Sequence, residues 1–244
     1  MKQIVLTLIM CFLGLLGTKA QQTITIKKDV NGTSILTTNN TNGTQYYPVY
    51  TNENNYRSVS QMIYVEDQIK AAAGGTTLPT GEISHIAFVM GDVSTVSGDR
   101  QWRVYIKTGA TKSAFSSSQT TYDWEELVAG DLCFDSVVSL PQNGKEVVIK
   151  LQKNIPYNGG NIVVCVCEDS GAEKNAYRAK FQWFNTTDYR SLVKYSKNVY
   201  NPVGDLSSTS GSHYKRQESP VIKFTIVPSA TPPYAPYAYI QSQC

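Results

Sequence analysis

Short β-prone runs recur along almost the whole chain, and turn chemistry interrupts each before it could grow into a helix. The runs are SVSQMIYV, GEISHIAFVM, RQWRVYIKT, DLCFDSVVSL, KEVVIKL, GNIVVCVCE, KFQWFN, SLVKYS and PVIKFTIV. Loops rich in Gly, Asn, Ser or Pro separate nearly all of them, the pattern of an antiparallel sandwich. Residues 21–45 begin the same way, with Asn-Gly pairs at 31–32 and 42–43 that signal hairpins. The expected class is all-β: an antiparallel, jelly-roll-like β-sandwich with at most one or two short helices. One helix is expected in VEDQIKAAAGG (65–75), ended by Gly74-Gly75. A single helical turn with Asp123 as its N-cap is the reading of YDWEELVAG (122–130).

Both ends read differently from the middle. Lys2 precedes an apolar run from Ile4 to Leu16, and Thr18-Lys19-Ala20 offers small residues for cleavage, so residues 1–20 read as an export signal peptide. The run is shorter than the roughly 20 residues of a bilayer helix, and no later segment replaces it. A transmembrane segment is therefore not expected in the exported chain, whose destination is the periplasm, the cell surface or the medium. About 224 residues remain, enough for a core that buries roughly 70% of the unfolded surface. We assign 21–45 to an N-terminal β segment and 46–228 to the sandwich. Residues 229–244 form a tail whose Pro232, Pro233 and Pro236 favour extended chain.

Without Lys2 and Lys19 the chain carries 20 basic and 19 acidic residues. That balance provides no footprint for nucleic acid or an anionic membrane. Cysteines 133, 165, 167 and 244 allow three pairings. Cys165 and Cys167 would share one strand face, at a separation poor for bridging each other, so buried free thiols are the favoured reading, ahead of a disulfide from Cys133 to one of them and, last, metal binding, for which zinc would need four convergent ligands.

Catalytic chemistry finds little support. The two histidines are His85, expected on the face of Ile83, Ala87 and Val89, and His213, in what reads as a solvated polar loop. No nucleophile, metalloprotease or phosphate-loop motif is present. A glycosidase needs only two carboxylates, and Asp123, Glu125, Glu126, Glu168 and Asp169 are the candidates, although sequence-adjacent acids more often decorate turns. No cofactor is expected; loops around Asp92, Asp99 and Asp169 have the oxygens calcium would take, but without EF-hand spacing.

Aromatic residues are the better lead. Sixteen Tyr and three Trp outnumber seven Phe, and their flat faces with polar tips suit sugar rings. The densest segment, 175–200, makes Tyr177, Trp183, Tyr189, Arg190 and Tyr195 the candidate ligand-binding residues. Within KFQWFN, strand alternation would place either Phe181 with Trp183, or Gln182 with Phe184, in the core. Trp102, alternating with Val104 and Ile106, is expected in the core.

The ordered series YRSVSQMIY, GEISHIAF, RQWRVYIKT, DWEELVAG, GKEVVIKLQKNIPYNGGNIVVCVCEDSG, YRSLVKYS and SPVIKFTI resembles a β-sandwich module recurring in exported multidomain surface proteins of Bacteroidota-type bacteria. Ser60, Gln61, Ile63 and Tyr64 match that family's opening strand; Ile155, Pro156, Tyr157, Gly159, Gly160 and Asn161 match its central step. The resemblance implies a non-catalytic accessory or adhesin-like module, and gives Gln61 and Tyr64 structural roles. The expected partner is a glycan or surface polymer, or, as a spacer or assembly module, other envelope proteins. Two modification signals are weaker: N-x-[ST] triplets at Asn31, Asn39, Asn42 and Asn185, and Asp135-Ser136-Val137, which looks like a short O-glycosylation acceptor.

Overall fold

A computed structural model describes residues 20–30, 47–50, 57–75, 77–91, 98–118, 120–142, 144–170, 179–196, 201–203, 206 and 211–229. The expected signal peptide but for Ala20, both Asn-Gly pairs, Asn39, Tyr177, Asp92, Cys244 and all of the tail but Ser229 lie outside these residues.

Twelve strands and one helix make up the described fold: β1 (Gln22–Ile26), β2 (Arg57–Tyr64), α1 (Glu66–Ala72), β3 (Gly81–Val89), β4 (Gly98–Ala110), β5 (Leu132–Leu140), β6 (Glu146–Tyr157), β7 (Asn161–Glu168), β8 (Trp183–Asn185), β9 (Ser191–Ser196), β10 (Ser212–Arg216), β11 (Glu218–Pro220) and β12 (Ile222–Val227). They form a six-stranded sheet in the order β10-β9-β2-β7-β4-β5, a four-stranded sheet in the order β1-β12-β3-β6, and a β8-β11 pair. Every pairing is antiparallel. The chain is an all-β sandwich, as its turn-punctuated alternation predicts.

Between the two sheets lies the main core, where Met62, Tyr64, Trp102, Val104, Ile106, Val164 and Val166 meet Ile24, Ile26, Ile86, Phe88, Ile149 and Phe224. Trp102 is fully buried and sits edge-on to Phe88 and tilted against Phe181. Phe181 and Phe184 both reach this core while Trp183 stays part-exposed. Neither expected face is therefore buried intact: residue 181 makes only an isolated bridge to Met90, and regular pairing begins at Trp183. In β3 a register shift between Ile83 and His85 moves the histidine off Ile83's face, so Ile86 and Phe88 continue the core and His85 is part-exposed.

The six-stranded sheet is covered on its outer face as well. Residues 111–118 and 120–128, between β4 and β5, lie across it and pack Phe115, Tyr122, Trp124 and Leu127 against Val59, Ile63, Tyr105, Val163, Cys165, Cys167 and Leu192. This strap is not the helical turn expected at 122–130; only Ala129–Asp131 form a 3-10 turn. Asp123 instead accepts the Ser116 amide (2.8 Å) and pairs with Lys112 (3.0 Å). Gln61, fully buried, uses its side-chain amide as a peptide would, donating to Glu125 O and accepting from Glu125 N, both at 2.8 Å. Tyr64 donates to Pro220 O (3.0 Å), tying the opening strand to β11.

Helix α1 starts where Asn161 Oδ1 accepts the Glu66 amide (2.9 Å) and Gln68 Oε1 accepts that of Val65 (3.1 Å). Gly74 and Gly75 end it with positive φ, as expected. Gly160 permits the preceding turn: its φ is +79°, and a Cβ there would lie 2.8 Å from Gly109 Cα.

Candidate functional site

The outer edge of the six-stranded sheet is built by β9 and β10, two strands of alternating character. In SLVKYS, Val193 and Tyr195 face one way and Leu192 and Lys194 the other; in SHYKR, Tyr214 and Arg216 oppose His213 and Lys215. Register brings Val193 opposite Tyr214 and Ser191 opposite Arg216. Tyr214 thus stacks on Tyr195, with ring centroids 5.7 Å apart and planes 21° apart. Tyr50 lies behind, 4.1 Å from the Tyr195 ring, on a segment held by Ser58 Oγ accepting the Tyr50 amide (3.0 Å) and by Ser60 Oγ donating to Pro48 O. The Arg216 guanidinium sits 5.2 Å from the centre of the Tyr214 ring.

Exposure along this stack is graded. Tyr50 and Tyr195 are buried, whereas Tyr214 keeps 39% of its surface in solvent. Burial, with a hydrogen bond donated to Tyr214, pushes the Tyr195 phenol above its ordinary range, so the hydroxyl remains a neutral donor. A part-exposed tyrosine with a guanidinium over its ring and a phenolic hydroxyl at its tip offers both apolar contact and polar direction to a ligand.

Of the four described residues among the five predicted from sequence, only Tyr195 belongs to this stack. Trp183 pairs with Pro220 in the small β8-β11 sheet. Tyr189 is part-buried, packed with Tyr122 and Trp124, and lies under the Lys215 ammonium at 5.5 Å from its ring centre. Arg190 extends the ladder, its amide donating to Arg216 O (3.1 Å) and its carbonyl accepting from Ile63 N (2.9 Å), while its buried side chain reaches Asp188 at 3.2 Å. Tyr214 and Arg216 were missed because SHYKR carries no apolar run to mark it as a strand, and Tyr50 because it lies far from the aromatic-rich segment.

The opposite face of β10 corrects the reading of His213 as solvated. Its ring stacks on Tyr122 at 4.5 Å and 26°. Burial, and then the nearby Lys194 charge, lower its pKa from the usual value. Lys215 beside it donates to Ser116 O (2.7 Å), Thr121 O (2.8 Å) and Ser118 O, clamping the strap.

The candidate acids hold the fold together. Glu168, 1% exposed, accepts the Trp102 indole N–H (2.7 Å) and the Ser170 amide (2.9 Å); burial raises its pKa against those hydrogen bonds. Asp169 pairs with Arg103 (2.6 Å) and Glu125 with Lys107 (2.7 Å). Among the described residues no group of three or more His, Cys, Asp or Glu is placed to hold a metal ion, and none of their helices is long and apolar enough to cross a membrane. Cys133, Cys165 and Cys167 are buried free thiols, as favoured from sequence. In sequence comparison the chain matches no protein-family model and no curated protein.

Proposed function

We propose that the protein is an exported, non-catalytic binding module that recognises a glycan or surface polymer in the cell envelope or outside the cell. The observation that carries this reading is the Tyr50–Tyr195–Tyr214 stack, which rises out of the core at the sheet edge and ends in an exposed ring beside Arg216. A pyranose ring stacks its C–H face on such a tyrosine while its hydroxyls take hydrogen bonds from the guanidinium and phenol. Support also comes from the resemblance to exported accessory modules, and from the engagement of Glu168, Asp169, Asp123 and Glu125 in structural hydrogen bonds and ion pairs.

The test is a pull-down against a panel of insoluble polysaccharides, followed by Tyr214→Ala. The variant folds normally and loses about tenfold or more in retention, in line with the roughly 1–2 kcal/mol expected of one exposed ring contact. Retention unchanged by Tyr214→Ala and Arg216→Ala together would overturn this assignment.

A second reading, an assembly module making protein contacts, draws on the exposed Val137 and Val148 of β5 and β6, two edge strands that adjoin. It predicts envelope partners captured by crosslinking and released by Val137→Asp or Val148→Asp, with polysaccharide retention absent.

A further inference from the structure

Cys165 and Cys167 of β7 lie side by side beneath the strap, on the outer face of the six-stranded sheet. Two residues apart on a strand, they project to the same side. Both belong to one buried cluster with Val59, Tyr105, Leu127 and Leu206. Both are fully buried and unoxidised. Register places Cys165 between Gln61 of β2 and Tyr105 of β4, and Cys167 between Val59 and Arg103. Leu127, Leu206 and Trp124 close over the pair. Cys133 is separate from it, belonging to the core between the two sheets.

We propose that Cys165 and Cys167 form a two-coordinate site for a soft monovalent metal ion, Cu(I) or Ag(I). Thiolate ligands select such ions, and a closed-shell monovalent ion is satisfied by two of them in a near-linear arrangement. Structural zinc wants four ligands. Binding breaks two S–H bonds, forms two metal–sulfur bonds, and releases two protons to solvent; no electron is transferred. The resulting bis-thiolate complex bears one negative charge. Arg103, cross-strand from Cys167 and oriented by Asp169 through a 2.6 Å contact, brings a positive charge to the same face.

The cover supplies a second feature. Trp124, packed on the cysteine cluster, has a buried indole N–H with no hydrogen-bond partner among the described residues. A thiolate formed in this cluster would add an acceptor to the surroundings of that N–H. Trp124 and Leu127 sit on a stretch without strand pairing, so a metal ion reaches the pair by local opening of the strap, and Leu206 need not move with it.

Silver titration tests the site. In a Cys11→Ala, Cys133→Ala, Cys244→Ala background, the folded protein takes up one Ag(I) per chain, seen by native mass spectrometry, with two protons released and near-UV circular dichroism retained. Adding Cys165→Ala or Cys167→Ala weakens binding by about a hundredfold, since the second ligand acts at high effective concentration. Arg103→Gln weakens it by a smaller factor at unchanged stoichiometry. Should the triple background not fold, the same comparison is made in the native chain, where Cys133→Ser preserves the tight site and Cys167→Ser removes it. No stoichiometric silver on the folded protein, undiminished binding without Cys165 or Cys167, or uptake only as near-UV signal is lost would each overturn the proposal.

Discussion

At the scale of single residues, the most consequential side chain is Gln61, which pairs with both backbone groups of Glu125 from a fully buried position. Leucine there would fill the space and leave a buried N–H and C=O unpaired, so Gln61→Leu should cost about 2–4 kcal/mol in urea unfolding. Its structural role was legible in the sequence only through the family resemblance, because alternation alone makes a polar residue look like a surface one. His213 is the converse case. Its folded pKa lies below the unfolded value, so the unfolded chain binds the proton more readily and stability rises with pH across the window between them. Stability contributed by neutral His213 is complete above the unfolded value, near 6.5, and is lost as pH falls from there toward the lowered folded pKa. Melting temperature measured from pH 7.5 to 5 should fall more steeply in the native protein than in His213→Phe, which keeps the stack on Tyr122 without the proton. Nothing in STSGSHYKRQE announces this, since the ring that buries His213 lies about 90 residues away, in the strap.

At the scale of elements, strands with an apolar face were readable and the polar ones were not. β2, β4, β7 and β12 alternate or run apolar and appear where expected; β10 consists of Ser, His, Tyr, Lys and Arg and is held by pairing with β9 and by its contacts. The strap shows the reverse error. Asp123, Glu125 and Glu126 favour a helix start locally, but Trp124 and Leu127 must both reach the outer face of the sheet, and the extended chain lets them pack there. Lys215 holds the strap's first half through three carbonyls. Lys215→Met should therefore open residues 116–121 locally, raising their amide hydrogen exchange by about tenfold to a hundredfold while the β2 and β7 amides keep their protection. Uniformly faster exchange across the sheet would show instead that strap and sheet open as one unit.

At the scale of the whole molecule, the first and last described strands are joined: β1 pairs along its length with β12 and contributes Ile24 and Ile26, each 1% exposed, to the core shared by both sheets. Ile24→Ala and Ile26→Ala should each cost about 2–5 kcal/mol, seen as a lower urea midpoint in a single cooperative transition rather than as selective fraying of one edge. The sequence by itself determined the all-β class, the one helix with its glycine stop, the burial of Trp102 and the shared face of Cys165 and Cys167, because each follows from local dihedral preference and a period of two along a strand. Tertiary structure alone decided that both faces of the six-stranded sheet are covered, that the bulge in β3 turns His85 away from Ile83's face, and that the aromatic stack at the edge joins Tyr50, Tyr195 and Tyr214. Those contacts join residues far apart in the chain, and register and strand order, which bring them together, are set by how the complete core packs rather than by any one segment.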